Sequence, residues 1–241
     1  MTAAPPGGSL ADPLAASLEG RRSARAFRPD PVPEAELRRL FAMAQRAPSW
    51  CNIQPWRVWV TSPPATAAVS AALLAAARSG LPAPDVPWPG VYPEPYQAHR
   101  RACGHALYSA MGIGRDDKER RHGAWLRNYE LFDAPHLAVV ARERVLGEYA
   151  SLDVGVWLGY LFAAAASLGI DTCAMASVAA YPAPLRRALA IPDDLVILFG
   201  IALGRADASA PANACRTDRD PIDANVRFVD RAPDGAASAP R

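Results

Sequence analysis

The sequence predicts a single α+β domain, and three features of its pattern support that prediction. Helical periodicity alternates along the chain with short runs of strand-forming residues. No internal repeat or long flexible linker divides the 241 residues. Hydrophobic residues make up 51% and charged residues 21%, a composition typical of globular chains. We therefore expect one domain whose core is shared by helices and strands.

The first half of the chain is expected to form four helices and one strand. Pro33 can occupy a first helical position, after which apolar residues recur at helical spacing until Pro48 stops the helix. The stretch RVWVTS is rich in β-forming residues and predicts a strand at 57–62. Six prolines within 81–95 exclude a helix or a central strand, so an ordered surface excursion is expected there. The four helices are predicted at 33–47, 65–78, 97–112 and 118–130.

The second half continues the alternation of helices and strands. Strands are predicted at 137–142 and 195–203, and a short strand or turn at 172–177. Pro184 opens a short helix, and the last 35 residues are polar and irregular. The uncharged run 154–170 contains glycines and ends in an acid, which favours a buried core helix over a membrane span. The two helices are predicted at 150–168 and 183–189.

Charge, cysteines and the N-terminus exclude several classes of protein. With 26 Lys and Arg against 24 Asp and Glu, the net charge is +2, which argues against a dedicated nucleic-acid binder. The first 20 residues lack the basic and apolar regions of a signal peptide. The cysteines and histidines have no zinc-type or disulfide-framework spacing, so no metal site is expected. We expect a cytoplasmic protein with free thiols at Cys51, Cys103, Cys173 and Cys215.

Three clusters of polar residues would suit an anionic, planar bound molecule. In an extended segment Arg21, Ser23 and Arg25 project from one side and could meet a phosphate together, with Arg22 pointing away. The second cluster, 48–56, places hydroxyl and amide side chains between a helix and a strand. The third, 213–219, lies in the irregular tail. Taken alone, each also fits a solvated basic stretch, a capped turn or an exposed loop.

Together, the order and spacing of these clusters resemble the nitroreductase family of FMN-dependent oxidoreductases. RRSARAF is similar to the family's opening flavin-phosphate motif, and PSWCNIQPWRVWV to its loop between helix and strand. SLGIDTCAMAS is similar to its flavin-edge segment, and LFGIALGRAD followed by NACRTDRDPID to its closing strand and tail. The match covers about residues 15–230. The SWCN variant of the loop and the insert rich in tyrosine and proline look most similar to members described as nitroaromatic or nitrobenzoate reductases.

The resemblance implies a fold and an assembly. A single FMN-binding domain is expected at 15–230, with flexible termini at 1–14 and 231–241. It would be an α+β sandwich with a central mixed sheet flanked by helices. Two chains would form a domain-swapped homodimer in which each C-terminal tail embraces the other subunit, and both chains would build each FMN site. The helix at 154–170 would then be buried between its own sheet and the partner.

The resemblance also assigns roles to particular residues. Ser49 and Asn52 would touch the flavin from the partner subunit, with support from Gln54. Ala176 and Ser177 would present backbone groups to the flavin edge; they and Ala174 stand where many relatives have proline and Glu-Gly, and backbone donors survive such changes. The FMN phosphate and ribityl chain would be held by Arg21, Arg22, Ser23, Arg25, Arg216 and Arg219. Candidates to line the acceptor pocket are Trp50, Trp88, Tyr92 and Tyr96.

The expected reaction is a ping-pong exchange. NADH or NADPH would deliver hydride to FMN, and a nitroaromatic or quinone-type acceptor would then take the electrons. The flavin would carry the chemistry, so no catalytic side chain is required. Two alternatives remain: an oxygen-dependent enzyme that consumes its own flavin, as dimethylbenzimidazole synthases do, and a non-enzymatic FMN sensor or store.

Overall fold

The computed structural model describes residues 11–230; residues 1–10 of the expected flexible segment 1–14, and the whole expected segment 231–241, lie outside that range. Within it the chain forms eight helices and four strands. The helices are α1 Ala11–Gly20, α2 Glu34–Ala44, α3 Pro63–Ser79, α4 Tyr96–Ala110, α5 Lys118–Leu126, α6 Gly147–Ser167, α7 Pro182–Leu189 and α8 Ile222–Asn225. The strands are β1 Trp56–Val60, β2 His136–Glu143, β3 Asp171–Met175 and β4 Leu195–Gly204.

The four strands form one sheet in the order β1-β2-β4-β3, and each neighbouring pair is antiparallel. Among the described residues, one parallel bridge is added to these strands: it joins Ser23, which lies outside them, to Thr172 of β3. β2 and β4 lie in the centre, and β1 and β3 at the edges. The sheet is therefore antiparallel in its named strands, with the single parallel bridge at the β3 edge.

Two hydrophobic clusters cover opposite faces of this sheet. Leu137 and Val139 of β2 pack into a cluster with α3 and α7 residues. Ala138 and Val140, which alternate with them, pack into a second cluster with α2 and α6. Because side chains of a strand alternate between its faces, β2 is buried on both sides and forms a continuous apolar run. The predicted α+β sandwich is confirmed.

The predicted helices and strands are present, with differences at their ends. Pro33 precedes α2 with φ −54° and ψ 139°, so it caps the helix from outside instead of starting it. Pro182 occupies the start of α7 in place of Pro184. The ambiguous segment 172–177 contains four of the five residues of β3. Residues 11–14, expected in the flexible N-terminus, instead begin α1, because this Ala- and Leu-rich stretch favours a helix that packs on α6.

The long helix α6 is apolar on both sides but is buried on only one. Trp157 and Leu161 are buried in the second cluster. On the opposite side Leu152, Val156 and Tyr160 are 64%, 43% and 45% exposed. Together with the short turn before it, α6 is long and apolar enough to cross a membrane by length and composition. In this fold its inner face forms half of the core.

Candidate functional site

The predicted phosphate-binding segment lies beside β3. Ser23 forms the bridge to Thr172, and the N–H of Ala24 donates to the Thr172 carbonyl at 2.9 Å. This pairing extends the segment, so successive side chains point to opposite sides. Ala24 is fully buried on one side. Arg21, Ser23 and Arg25 alternate with it, as the sequence spacing predicts.

Neither Arg21 nor Arg25 has a carboxylate within 4 Å in the described part of the chain. Burial raises the pKa of the Cys173 thiol, and the charges of Arg25 and Arg21 both oppose that rise. Arg21 stacks on the ring of Phe162 at 5.7 Å, and Arg25 donates to the Ser23 carbonyl at 3.4 Å. Two neighbouring cations without a counter-ion favour the binding of an anion.

Arg22 behaves differently from these two arginines. Its guanidinium lies 3.9 Å from the carboxylate of Asp171, the first residue of β3. Its Nε is buried and has no hydrogen-bond partner among the described residues. Arg22 therefore contributes to the attachment of the segment to β3 and, unlike Arg21 and Arg25, faces a carboxylate.

Asn213 joins the C-terminal tail to this segment, 188 positions away from Arg25 in the sequence. Its side chain is buried, and its Oδ1 accepts from the Arg25 N–H at 2.6 Å. Its Nδ2 donates to the carbonyls of Ala26 and Asp207, both at 2.8 Å. The Asn213 carbonyl accepts from the guanidinium of Arg216 at 2.9 Å. Asn213 thus contacts both Arg25 and Arg216, and we call Arg21, Ser23, Arg25 and Arg216 the arginine cluster.

Arg219 is not part of that cluster. It folds back on the tail and donates to the carbonyl and hydroxyl of Thr217 at 3.2 and 3.1 Å. With Arg216 it lines a separate cleft of about 500 Å³ between the tail and α4. We therefore leave two of the six predicted phosphate-site residues out of the cluster: Arg22, which faces Asp171, and Arg219, which contacts Thr217 and Asp218 of the tail.

The second predicted group, Ser49, Asn52 and Gln54, forms a compact exposed loop. The Gln54 N–H donates to the Ser49 hydroxyl at 2.9 Å, and its side-chain amide donates to the carbonyl and side-chain oxygen of Asn52, each at 3.2 Å. Cys51, Asn52 and Gln54 have φ values of 49°, 56° and 46°. Such left-handed conformations cost free energy outside glycine. The loop's own side chains therefore maintain a backbone that the sequence alone would not favour.

Within one chain, this 49–54 loop does not reach the arginine cluster. The Trp50 N–H donates to Asp153 of α6 at 3.1 Å, and its indole packs edge-on against Tyr149 at 4.8 Å. Phe162, the residue under Arg21, lies nine positions further along α6 than Asp153. At 1.5 Å per residue, nine positions correspond to about 13 Å of helix. The loop and the cluster lie towards opposite ends of α6.

The third group of predicted residues opens onto a cleft of about 370 Å³. Ala176 and Ser177 line it together with Trp88 and Tyr92 of the proline-rich segment. Trp125 and Tyr129 add two further rings, so we call this space, bounded by Trp88, Tyr92, Trp125, Tyr129, Ala176 and Ser177, the aromatic cleft. Planar aromatic molecules are favoured in such surroundings because their faces can stack on the rings.

Two of the four predicted pocket residues are not in the aromatic cleft of the same chain. Tyr96 begins α4 and is 61% exposed, and Trp50 is 60% exposed on the 49–54 loop. The backbone of Ala176 and Ser177 is better placed. Their carbonyls accept from the following turn, whereas their N–H groups make no hydrogen bond within the described part of the chain. These N–H groups remain available as donors, as expected.

Tyr129 lines the cleft next to a second buried tyrosine. It is 1% exposed, and its ring meets that of Tyr181 edge-on at 5.5 Å. Burial, followed by the proximity of Tyr181, raises the pKa of Tyr129 to about 12. The phenol therefore stays neutral at physiological pH and adds no charge to the cleft.

The proline-rich wall of the cleft is fixed by Asp85. Its Oδ2 accepts from the Ile197 N–H of β4 at 2.8 Å and from the Arg186 guanidinium at 3.0 Å. The Ala83 N–H adds a bond to the Ala180 carbonyl at 2.9 Å. As predicted, 81–95 contains neither helix nor strand. These contacts explain how it is ordered without them.

Sequence reasoning did not identify three residues that position the site: Asn213, Asp85 and Asp153. Each is a short polar side chain whose partner lies at least 100 positions away in the chain. Local spacing carries no signal for such contacts. Asn213 belongs to a polar cluster of the sequence, but its burial distinguishes it only in the folded chain.

The chain is similar to known proteins over almost its whole length. The model of the "Nitroreductase family" matches residues 18–205. A 4-nitrobenzoate reductase of Nocardioides sp. is 33% identical over 219 residues, which cover 89% of each chain. The solved FMN-dependent nitroreductase NfnB from Mycobacterium smegmatis, in complex with NADPH, superimposes with a TM-score of 0.88 at 32% identity and covers 92% of this chain and 100% of its own.

A third similarity is more limited in extent. A 5,6-dimethylbenzimidazole synthase of Rhodobacter capsulatus is 46% identical over 68 residues. That region covers 28% of this chain and 33% of the synthase. The long matches are therefore with nitroreductases, and the match with the synthase is partial.

Proposed function

Because this chain belongs to the nitroreductase family, we propose that it is an FMN-dependent oxidoreductase that uses NADH or NADPH to reduce nitroaromatic or quinone-type acceptors. The observation that carries the proposal is the position of the arginine cluster and the aromatic cleft at the two ends of β3. A phosphate site at one end and an aromatic site at the other suit a molecule with both groups. The full-length similarity to an NADPH-binding FMN nitroreductase supports the same activity.

The residues present fit FMN. Ser23 pairs with Thr172 near the start of β3, and Ala176 follows its end. Four residues of strand separate Thr172 from Ala176, or about 13 Å. FMN likewise carries its phosphate and its ring at opposite ends of an extended ribityl chain. We assign the phosphate to the arginine cluster, and the polar edge of the ring to the N–H groups of Ala176 and Ser177.

When bound, FMN accepts a hydride from the nicotinamide and passes electrons to the acceptor, so the protein needs no nucleophile or metal. The chain's own residues then have three tasks. The N–H groups of Ala176 and Ser177 stabilise negative charge on the ring edge. Trp88 and Tyr92 orient an aromatic molecule by stacking. The neutral phenol of Tyr129 closes the inner side of the cleft against water.

We further infer that two copies of this chain form a homodimer through the outer face of α6. Leu152, Val156 and Tyr160 expose a continuous apolar stripe on that face. Gly155 and Gly159 lie between them, and an added Cβ at either position would meet no atom within 4 Å. Small residues four positions apart allow two helix backbones to approach closely. A second α6 would bury the stripe.

Such a dimer would complete the FMN site. If the two α6 helices cross antiparallel at Gly155 and Gly159, a residue before the crossing point on one helix lies next to a residue equally far after it on the other. Asp153, which anchors the 49–54 loop, would then lie beside the Phe162 region of the other subunit. Phe162 supports Arg21. Ser49, Asn52 and Gln54 of one chain would reach the FMN held by the other.

The C-terminal tail fits a second part of the same interface. Phe228 and Val229 are 79% and 74% exposed near the end of the described chain. β1 is an edge strand, and a groove of about 680 Å³ lies between it and α2. An unpaired edge is a template for a strand from another chain. We propose that the tail of each subunit lies along β1 of the other.

The activity is tested on purified protein. We expect a yellow protein that releases FMN on denaturation, that is bleached by NADH or NADPH without oxygen, and that regains its colour when a nitroaromatic is added. Release of FAD, or no flavin, contradicts the proposal. Failure of both nucleotides to bleach the flavin favours the sensor. Loss of the flavin during turnover in air favours the synthase alternative.

The dimer is tested by Gly159→Leu, with Gly123→Leu on α5 as the control. Both glycines are helical, and an added Cβ at either meets no atom within 4 Å. Light scattering after gel filtration should show a dimer for the wild type and the control, and monomers together with lost FMN for Gly159→Leu. Monomeric wild-type protein that retains FMN would contradict both the dimer and the shared site.

A further inference from the structure

The aromatic cleft contains one charged side chain among its described lining residues, that of Arg100 on α4. The same arginine lines an adjoining cleft of about 390 Å³, which shares Pro89 and Tyr92 with the first and also contains no other charged lining residue. Arg100 therefore lies at the junction of two spaces that both open on the proline-rich segment. A cation in this position would attract negative charge into otherwise uncharged surroundings.

The guanidinium of Arg100 is oriented by Tyr92. Its Cζ lies 5.2 Å from the centre of the Tyr92 ring, a distance at which a cation is attracted to the face of the ring. Asp85 ties the segment that carries Tyr92 to β4. The ring lies on this attached segment, and its face favours a position of the Arg100 fork over it.

Arg100 also differs from its neighbour in having no internal anion. Arg101 forms a 2.7 Å ion pair with Glu94. Arg100 has no carboxylate within 4 Å in the described part of the chain. An arginine fork without a partner, next to an aromatic stacking surface, has the geometry for bidentate binding of a carboxylate.

We propose that Arg100 determines specificity by binding the carboxylate of an aromatic acceptor whose ring stacks in the aromatic cleft. The inference rests on the proposed function, since it concerns the acceptor that this activity would reduce. The favoured substrates are aromatic nitro compounds that carry a carboxylate on the ring. The contact is made before and during electron transfer, so its loss raises KM and leaves kcat unchanged.

The test compares Arg100→Gln with the wild type on 4-nitrobenzoate and on neutral 4-nitrobenzyl alcohol. Loss of a charge-assisted contact should raise KM for 4-nitrobenzoate roughly 10- to 100-fold. KM for the alcohol should stay within about twofold, since no charged contact is lost. Arg100→Lys keeps the charge without the fork, and it should give an intermediate KM. Arg101→Gln removes the same charge from the same helix and should leave both KM values unchanged.

The outcomes separate this inference from the proposed function. Wild-type protein that reduces neither acceptor contradicts the proposed function itself. If the wild type reduces both acceptors, two results for Arg100→Gln contradict only the role of Arg100. One is an unchanged KM for 4-nitrobenzoate, and the other is an equal rise in KM for both acceptors. A selective rise in KM for NADPH over NADH would assign the cation to the nucleotide phosphate and overturn the acceptor assignment. FMN content and melting temperature, unchanged in the variants, exclude misfolding.

Discussion

Replacing Asn213 by alanine should weaken the fold and FMN binding together. Asn213 makes three side-chain hydrogen bonds, to the Arg25 N–H and to the carbonyls of Ala26 and Asp207. Each bond contributes about 1 kcal/mol, so their joint loss should lower the free energy of unfolding by about 3 kcal/mol. For a chain of this size that loss corresponds to a fall in melting temperature of roughly 6–12 °C.

The measurement is urea unfolding at fixed protein concentration, with and without added FMN. Asn213→Asp keeps the acceptor for Arg25 but loses both donations, so it should be destabilised as well. Asn225→Ala provides the control, because Asn225 is exposed on α8 and its loss should cost less than about 0.5 kcal/mol. FMN should also stabilise Asn213→Ala less than the wild type, because Arg25 and Arg216 lose their common attachment.

A small effect would refute this reasoning. If Asn213→Ala lowers the free energy of unfolding by less than about 1 kcal/mol, then the three bonds do not hold the two ends of the chain together. If its stability falls as expected but FMN binds with wild-type affinity, the link between Asn213 and the arginine cluster is contradicted.

Three further predictions concern the ends of β3 and the wall of the cleft. Arg21→Ala combined with Arg216→Ala removes two charge-assisted contacts and should raise the FMN Kd roughly 10²–10⁴-fold in fluorescence titration. A double variant that stays yellow after gel filtration would contradict the assignment of the phosphate site. Asp85→Ala removes one of the two carboxylates paired with Arg186 and the acceptor of the Ile197 N–H, so it should cost roughly 3 kcal/mol in urea unfolding, with a higher KM for the acceptor. Wild-type stability and KM would contradict its anchoring role. Because the pKa of Tyr129 is about 12 in the folded chain and about 10 in the unfolded one, its neutral phenol stabilises the fold fully below about pH 10. Between about pH 10 and 12 the free energy of unfolding should fall by roughly 2 to 3 kcal/mol. Unfolding measured at several pH values should lack this fall in Tyr129→Phe, and an unchanged fall would contradict the prediction.

Helices and strands could be predicted from the sequence because their signals are local. The β-forming run RVWVTS and the Pro33 start both mark their elements to within a few residues. The strand order β1-β2-β4-β3 has no such local signal, because it depends on which strands pack side by side in the folded chain. Residues 11–14 begin α1, a helix that packs on α6 and has little core pattern of its own, so no local signal marks its start.

The candidate site likewise has parts that local sequence patterns predict and parts that they do not. Alternation along an extended segment predicts that Arg21, Ser23 and Arg25 share a side, and local geometry is sufficient for that. Arg219 is grouped with them through the resemblance alone, and its contacts lie within the tail. The part played by Asn213 could not be predicted, because a buried asparagine and an exposed one look alike in a sequence.

The attachment of the proline-rich wall has a consequence for how this protein can change. Asp85 and Ala83 hold the segment near one end, and α4 begins at its other end. Between them, residues 86–93 contribute no strand to the sheet, and Val91 is 81% exposed. Substitutions there alter the chemistry of the cleft without disturbing a ladder of backbone hydrogen bonds. The acceptor range can therefore diverge rapidly in evolution, or be redesigned in the laboratory, while the flavin-binding framework stays the same.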